Sequence, residues 1–349
     1  MPDDHTEANG HDRAFIVIGE NIHTTRVLRL DGPELGADDE GREAIVFTDR
    51  AGQPRALPIP EAEKEVQAYL EGRAKHVRIA VQVAMAEGED AEVALAYLDT
   101  VIGRQVDAGS HFLDINVDEV SHRLPEQIAT MRWLVSHVRS RTETPIAIDS
   151  SNLEIIASGF DALGDATGRG MLNSASLERL EALDVAAAHG CAVVVTAAGE
   201  AGMPSDTDQR VANASRMVEA ALAKGIPLGK LYVDPLVFPI SVDGDFGNHV
   251  LEAFRGLRGR YGPEIHLTGG MSNVSFGLPN RKLINDAFLV LAIEAGADSG
   301  IIDPVTSRPQ DLALFDRSSR PAQLAIDVLS GADRNCRAYL KAFRAGELG

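Results

Sequence analysis

Cysteine is scarce: Cys191 and Cys336 are the only two in 349 residues. Two such distant thiols make neither a disulfide framework nor a closed zinc site, which fits a reducing compartment, and the expected location is cytoplasmic. Positive charge is also short. Lys and Arg number 33 against 52 Asp and Glu, a formal net charge of -19. Phosphate neutralisation needs clustered cations, so neither nucleic acid nor a polybasic membrane contact is expected. Long apolar runs are missing too, since no stretch reaches the roughly 18 residues of a membrane-spanning helix. Residues 1–13 are polar and acidic without an apolar centre. They read as a disordered N-terminus, not as a signal or transit peptide.

The G-x-G-x-x-G turn of a dinucleotide fold is absent as well. After the first β-rich run the chain reads Gly19-Glu20-Asn21-Ile22-His23-Thr24. What is present is alternation. Short β-rich runs recur at 15–18, 112–115, 145–148, 171–172, 192–195, 231–233, 265–267 and 300–302, with amphipathic segments between them. Repeated βα units imply a parallel sheet. About eight of them suit a single α/β domain over 14–349, a (β/α)8 TIM barrel, better than an open doubly wound sheet. Residues 306–349 are its C-terminal helical segment. Residues 24–75 break the rhythm, with β-like runs at 43–48 and 55–59 around Asp49-Arg50-Ala51-Gly52-Gln53 and a helical turn from Glu61. This insertion after the first strand is expected to lie over the C-terminal face of the barrel, as a lid or as a plain surface hairpin.

In a barrel the strand ends face the active site. Here the first ends in Glu20-Asn21, the second carries Asp114 and Asn116, and the third Asp149 with Ser150, Ser151 and Asn152. The fourth has Asn173 and Ser174, the sixth Asp234-Pro235, and the seventh opens into "GGMSNVSFGLPNR" at 269–281. Any one of these residues is an ordinary helix cap. Their repetition over six strand ends, rich in carboxylates and amides and poor in cations, points instead to a planar, amide-like ligand. A carboxylate accepts two parallel hydrogen bonds from a guanidine-like edge, and Asn offers both a donor and an acceptor. A pterin carries such an edge.

The stretches "FLDINVDEV" (112–120), "IAIDSSN" (146–152), "MLNSAS" (171–176), "YVDPLVFPI" (232–240) and "GGMSNVSFGLPNRKLIN" (269–285) resemble the pterin-binding barrel family. They are similar in particular to the methyltetrahydrofolate:corrinoid methyltransferases and the folate domain of cobalamin-dependent methionine synthase. The resemblance covers 15–20 and roughly 76–305. It implies that Asp149, Asn173 and Asp234 hold the pterin ring and that Asn273 approaches the methyl-bearing N5. Gly270, Ser272, Arg281 and Ile301 would line the same pocket. Glu20, Asp114, Asn116 and Ser150 would support those contacts from behind. His23 departs from the family, which commonly has Asn there, and a lone His is more often structural than a proton donor.

The resemblance further implies methyl transfer between methyltetrahydrofolate and a cobalamin-type corrinoid, with Asn273 as the catalytic residue. No D-x-H-x-x-G segment is found, so the corrinoid is expected on a partner protein. No metal is expected on this chain, because His111, His122, His189, His249 and His266 show no ligand spacing. Family members are often dimeric, and a homodimer is expected by analogy. Two alternatives stand beside this reading: a dihydropteroate synthase, and a non-catalytic folate-binding subunit of a methyl-transfer complex. The synthases typically open with an N-V-T-P-D-S-F-S-like loop and carry a lysine on a later strand for a pyrophosphate-bearing substrate. This chain has "GENIHTTR" and Ser272-Asn273-Val274-Ser275 at those places.

Overall fold

In the computed structural model, residues 14–348 are described, and the reading of 1–13 as disordered lies outside them. Eight strands make one parallel sheet: β1 (Ile16–His23), β2 (Phe112–Asn116), β3 (Ile146–Asp149), β4 (Met171–Ala175), β5 (Ala192–Thr196), β6 (Leu231–Asp234), β7 (His266–Leu267) and β8 (Ser299–Ile302). They lie in sequence order, with β8 paired to β1. The circle closes between β7 and β8, where Ile301 N–H donates to the Gly269 carbonyl at 2.9 Å and Ser299 Oγ to that of Leu267 at 3.1 Å. The expected (β/α)8 barrel is what forms.

The outer ring is α1 (Ala91–Asp107), α2 (Leu124–Arg139), α3 (Leu153–Leu163), α4 (Ala182–His189), α5 (Thr207–Ala223), α6 (Phe246–Tyr261), α7 (Arg281–Glu294) and α8 (Arg320–Leu329). Several start on side-chain caps. Asn152 accepts from Glu154 N–H at 2.8 Å, and Asp206 from Gln209 N–H at 2.8 Å. Each supplies an acceptor to an otherwise unpaired amide of the first turn. Among the described residues no helix is long and apolar enough to cross a membrane.

Strand side chains alternate, so every barrel strand feeds two cores. Val193, Val195, Ile146 and Ile148 point outward against the helices. Ile18, Ala147, Met171, Ala192, Val194, Tyr232 and Ile301 fill the interior, with Ile16 and Phe112 packed against them. Burial on both sides explains the dense Val and Ile runs.

The insertion takes a course different from the expected one. Leu28–Arg29 and Arg73–Ala74 pair antiparallel and draw its two ends together. Between them Leu35–Ala37, Glu43–Thr48 and Pro54–Pro58 form a three-stranded antiparallel sheet. This sheet runs down the outside of α1, not over the mouth. Arg42 meets Asp90 just before the helix begins, Phe47 packs edge-on against Tyr97 at 4.9 Å between ring centroids, and Arg50 pairs with Asp107 at its last residue. The apolar face of the hairpin, with Ile45 and Leu57 fully buried, goes to the nearest apolar helix flank. The two ends of the insertion reach the rim, where Arg26 bridges Glu20 at 3.3 Å and Asp303 at 2.8 Å, and Lys75 pairs with Glu119 in the loop after β2.

Candidate active site

The inward-facing positions change character over a two-residue step at the top of the barrel. Ile18 is followed inward by Glu20, Ala147 by Asp149, Met171 by Asn173, and Tyr232 by Asp234. Phe112 is followed by Asp114 and Asn116. The strand alternation that packs the apolar interior therefore also aims these polar groups into the mouth. Register aligns them further, because Asn116 pairs with Asp149 and Asp149 with Asn173 across three adjacent strands.

Hydrogen bonds fix the orientation of this layer. Asn116 Nδ2 donates to Asp149 Oδ2 at 2.9 Å. Asn173 Nδ2 donates to the fully buried Asp114 carboxylate at 3.2 and 3.3 Å. His23 Nε2 lies 3.0 Å from Asp114 Oδ2 and 4.0 Å from Asp149 Oδ2. Ser150 Oγ and Ser151 N–H donate to Asp118 at 2.5 and 3.0 Å, tying the loop after β3 to the loop after β2.

Electrostatics follow from burial. Burial, then the neighbouring Asp114 charge, pushes the Asp149 carboxyl up to about 7 against the lowering pull of His23 and Asn116. Burial pushes Asp234 up to about 6, although the Leu236 and Gly270 N–H groups and Arg210 pull it down. Burial opposes a charge on His23. The hydrogen bond and charge of Asp114, together with Asp149 and Glu20, outweigh that and raise its pKa. Burial also raises Glu20, despite Arg26 and His23.

The opposite wall is the opening of 269–281. After β7, Met271–Ser275 form one short 3-10 segment, with Asn273 N–H on the Gly270 carbonyl at 3.0 Å. Ser272 Oγ donates to Glu20 Oε1 at 2.9 Å and so docks this segment on β1. Asn273 itself is exposed, and among the described residues its side-chain amide has no hydrogen-bond partner. Gly270 leaves room for it, since a Cβ there would fall 2.8 Å from Asn273 Nδ2. Arg281 turns back into its own loop. Its Nε donates to Ser275 Oγ at 3.0 Å and a terminal nitrogen to the Ser272 carbonyl at 2.7 Å. Ile301 is part of the apolar floor.

The structure thus brings Glu20, Asp114, Asn116, Asp149, Asn173 and Asp234 to one mouth, with Ser150 tied to Asp118 behind it and Ser272 docking the opposite wall. It also adds residues that the sequence reading passed over. Asp303 follows β8 with the same Asp-Pro ending as Asp234-Pro235, and accepts from Asn21 Nδ2 at 2.9 Å as well as from Arg26. His23 is no isolated histidine, but its partner Asp114 is 91 residues away, a distance no local pattern reveals. Among the described residues His23, Asp114 and Asp149 are also the group that could hold a metal ion, their ligand atoms all within 4.8 Å of one another.

Fold and site together define a pterin-binding barrel, and the comparisons agree. The pterin binding enzyme family matches residues 88–303, and the chain belongs to that family. It is 33% identical over 251 residues to the methylcorrinoid:tetrahydrofolate methyltransferase of Eubacterium limosum, covering 70% of this chain and 86% of that protein. Within the family its place is therefore among the methyltetrahydrofolate:corrinoid methyltransferases. The methionine synthase of Mycobacterium tuberculosis is 31% identical over 209 residues, 56% of this chain but only 17% of that much longer protein. Among solved structures, the dihydropteroate synthase of Stenotrophomonas maltophilia superposes with a TM-score of 0.52 at 22% identity, covering 65% of this chain and 88% of that one. That likeness is one of fold.

Proposed function

We propose that this chain transfers a methyl group between N5 of methyltetrahydrofolate and the cobalt of a corrinoid carried by a separate protein. The observation that carries the reading is the pairing of an oriented carboxylate and amide layer (Asp149, Asn173, Asp234) with an unpartnered, exposed Asn273 on the facing wall. The first suits a pterin edge, and the second suits an atom that gains electron density late in the reaction. The E. limosum relative bears the corresponding name.

In this mechanism the pterin lies against the strand-end layer, donating to Asp149 and Asp234, with Asn173 Oδ1 turned toward it. Ile301 and the apolar interior form the floor. The methyl group moves as a cation in line between N5 and the reduced corrinoid, which supplies the electron pair of the new bond. The C–N pair stays on N5, which ends the forward reaction with a proton from solvent. Asn273 is not an acid. Its amide donates a hydrogen bond that strengthens as charge builds on N5, which stabilises the transition state more than the bound substrate. Ser272 and Arg281 hold the backbone segment that carries Asn273, so the wall is in place before substrate arrives. The protein operates as a cytoplasmic homodimer, by analogy with its family, and takes the corrinoid from its partner at the open mouth.

A dihydropteroate synthase reading lacks cationic support for a pyrophosphate leaving group. Arg281, the one charged residue of 269–281, already donates to Ser272 and Ser275. The deciding experiment mixes the protein with methyltetrahydrofolate and reduced free cobalamin and follows methylcobalamin by absorbance. Methylcobalamin that accumulates in proportion to enzyme is the expected result. Folate binding without any transfer would leave a non-catalytic folate-binding subunit, and no folate binding would sink the reading altogether.

A further inference from the structure

The segment beyond the family match ends directly behind the wall that carries Asn273. The last helix, Arg337–Arg344, starts on Asp333, whose carboxylate accepts from Ala338 and Tyr339 N–H at 3.0 and 2.9 Å. Tyr339 is fully buried, and its hydroxyl lies 3.2 Å from the carbonyl oxygens of both Pro279 and Asn280. From the other side, Asn280 Nδ2 donates to the Leu348 carbonyl at 3.2 Å. Leu348 and Leu278 are both buried in the same core.

These contacts converge on a backbone position that needs holding. Asn280 has φ 47° and ψ 52°, the left-handed region that residues with a Cβ adopt at a cost. The next residue is Arg281, the first of α7, whose guanidinium reaches the Ser272 carbonyl and Ser275 Oγ on either side of Asn273. A continuous line of hydrogen bonds therefore runs from the C-terminal helix through Asn280 and Arg281 to the segment that presents Asn273. On the barrel side the same segment is tied by Ser272 Oγ to Glu20 and by Ile240 N–H to the Val274 carbonyl at 3.1 Å, so the C-terminal contacts brace it from the opposite end.

We infer that the C-terminal segment is a clamp on the loop after β7, and that Tyr339 is a positioning residue for methyl transfer acting through Asn280 and Arg281. The inference rests on the role given to Asn273 in the proposed function. Tyr339 touches neither folate nor corrinoid in this scheme, so its loss should loosen the geometry of Asn273 without emptying the pterin pocket.

The test is Tyr339→Phe, which keeps the buried ring and removes the hydroxyl alone. Its kcat for transfer from methyltetrahydrofolate to reduced free cobalamin should fall about tenfold while KM for the folate moves less than about twofold, because small misplacements act on the chemical step. Hydrogen exchange in the ligand-free protein should quicken at amides 271–276 and remain as in the wild type on the barrel strands. Asn280→Gly, which keeps the backbone conformation but drops the link to Leu348, should shift exchange in the same residues. Unchanged kcat and unchanged exchange at 271–276 would overturn the clamp. Faster exchange over the whole barrel, with kcat and KM affected together, would also overturn it by making Tyr339 a general stability contact. A wild-type protein that transfers no methyl group would instead refute the functional reading, and the exchange comparison would still decide the clamp.

Discussion

Asp114 holds Asn173 by one end only: both of its carboxylate oxygens face Asn173 Nδ2, at 3.3 and 3.2 Å. A carboxylate can only accept, so the amide nitrogen is committed to the strand ends and Asn173 Oδ1 is left for the pocket. The same buried aspartate takes His23 Nε2 at 3.0 Å. Fully buried itself, it decides which end of the Asn173 amide the pocket shows. Asp114→Asn replaces one of the two acceptor oxygens with a donor, so either end of the Asn173 amide can pair with it and the amide is free to turn over. Folate affinity should drop about tenfold, a hydrogen bond's worth, when titrated calorimetrically at neutral pH. An unchanged affinity would show that Asn173 does not read the pterin with Oδ1.

Asn273→Ala deletes the unpartnered amide of the facing wall and nothing that the fold uses. The chemical step should slow by about a hundredfold, as when a single transition-state donor is lost, with folate dissociation changed less than about threefold. Single-turnover transfer to reduced cobalamin separates the two quantities. If affinity falls as far as rate, Asn273 is a binding contact and not a stabiliser of the departing N5.

The pH dependence of folate binding has a defined sign. In the proposed function Asp149, at about 7, and Asp234, at about 6, offer both oxygens to two parallel hydrogen bonds from the pterin edge only when ionised. Binding should therefore tighten as pH rises through that window and level off above it, by up to about tenfold per pH unit per group below its midpoint. His23 helps by lowering Asp149, so His23→Asn should move the upper midpoint to higher pH. Fluorescence titrations from about pH 5 to about pH 8.5 would check both. A flat profile would remove the carboxylates from pterin recognition.

Gly247, in the first turn of α6, packs against the end of α8, where an added Cβ would collide with the Leu329 carbonyl oxygen. Backbone cannot step aside as a side-chain tip can. Gly247→Ala should cost about 1–3 kcal/mol, seen as a lowered thermal midpoint, with kcat per folded molecule unchanged.

Much of this architecture was legible because of where the strands lie. Buried on both faces, they are written as compact apolar runs, and each β-rich stretch read from the chain became a barrel strand. The polar positions at their ends were legible for the same reason, since strand alternation ties Asp149 to Ala147 and Asp234 to Tyr232. The path of 24–75 was not. A hairpin with one apolar face specifies that it must cover something, and the flank of α1 and the mouth of the barrel satisfy that demand equally well on paper. Arg281 shows a similar limit, for nothing local tells whether a guanidinium at a loop's end faces a ligand or returns to its own backbone, as it does here.

The sequence by itself determined the repeating βα units, their parallel order, and the polar residues that end most of the inward faces, because these follow from periodicity along the chain. Tertiary structure alone decided which of those residues meet. Asp114 joins His23 to Asn173, Glu20 docks Ser272, and Tyr339 braces Asn280 through contacts between segments far apart in the chain. Such contacts depend on barrel closure and on how the C-terminal helix settles against it. Local pattern carries no record of either, because both are fixed by the burial of surfaces that come together only in the folded chain.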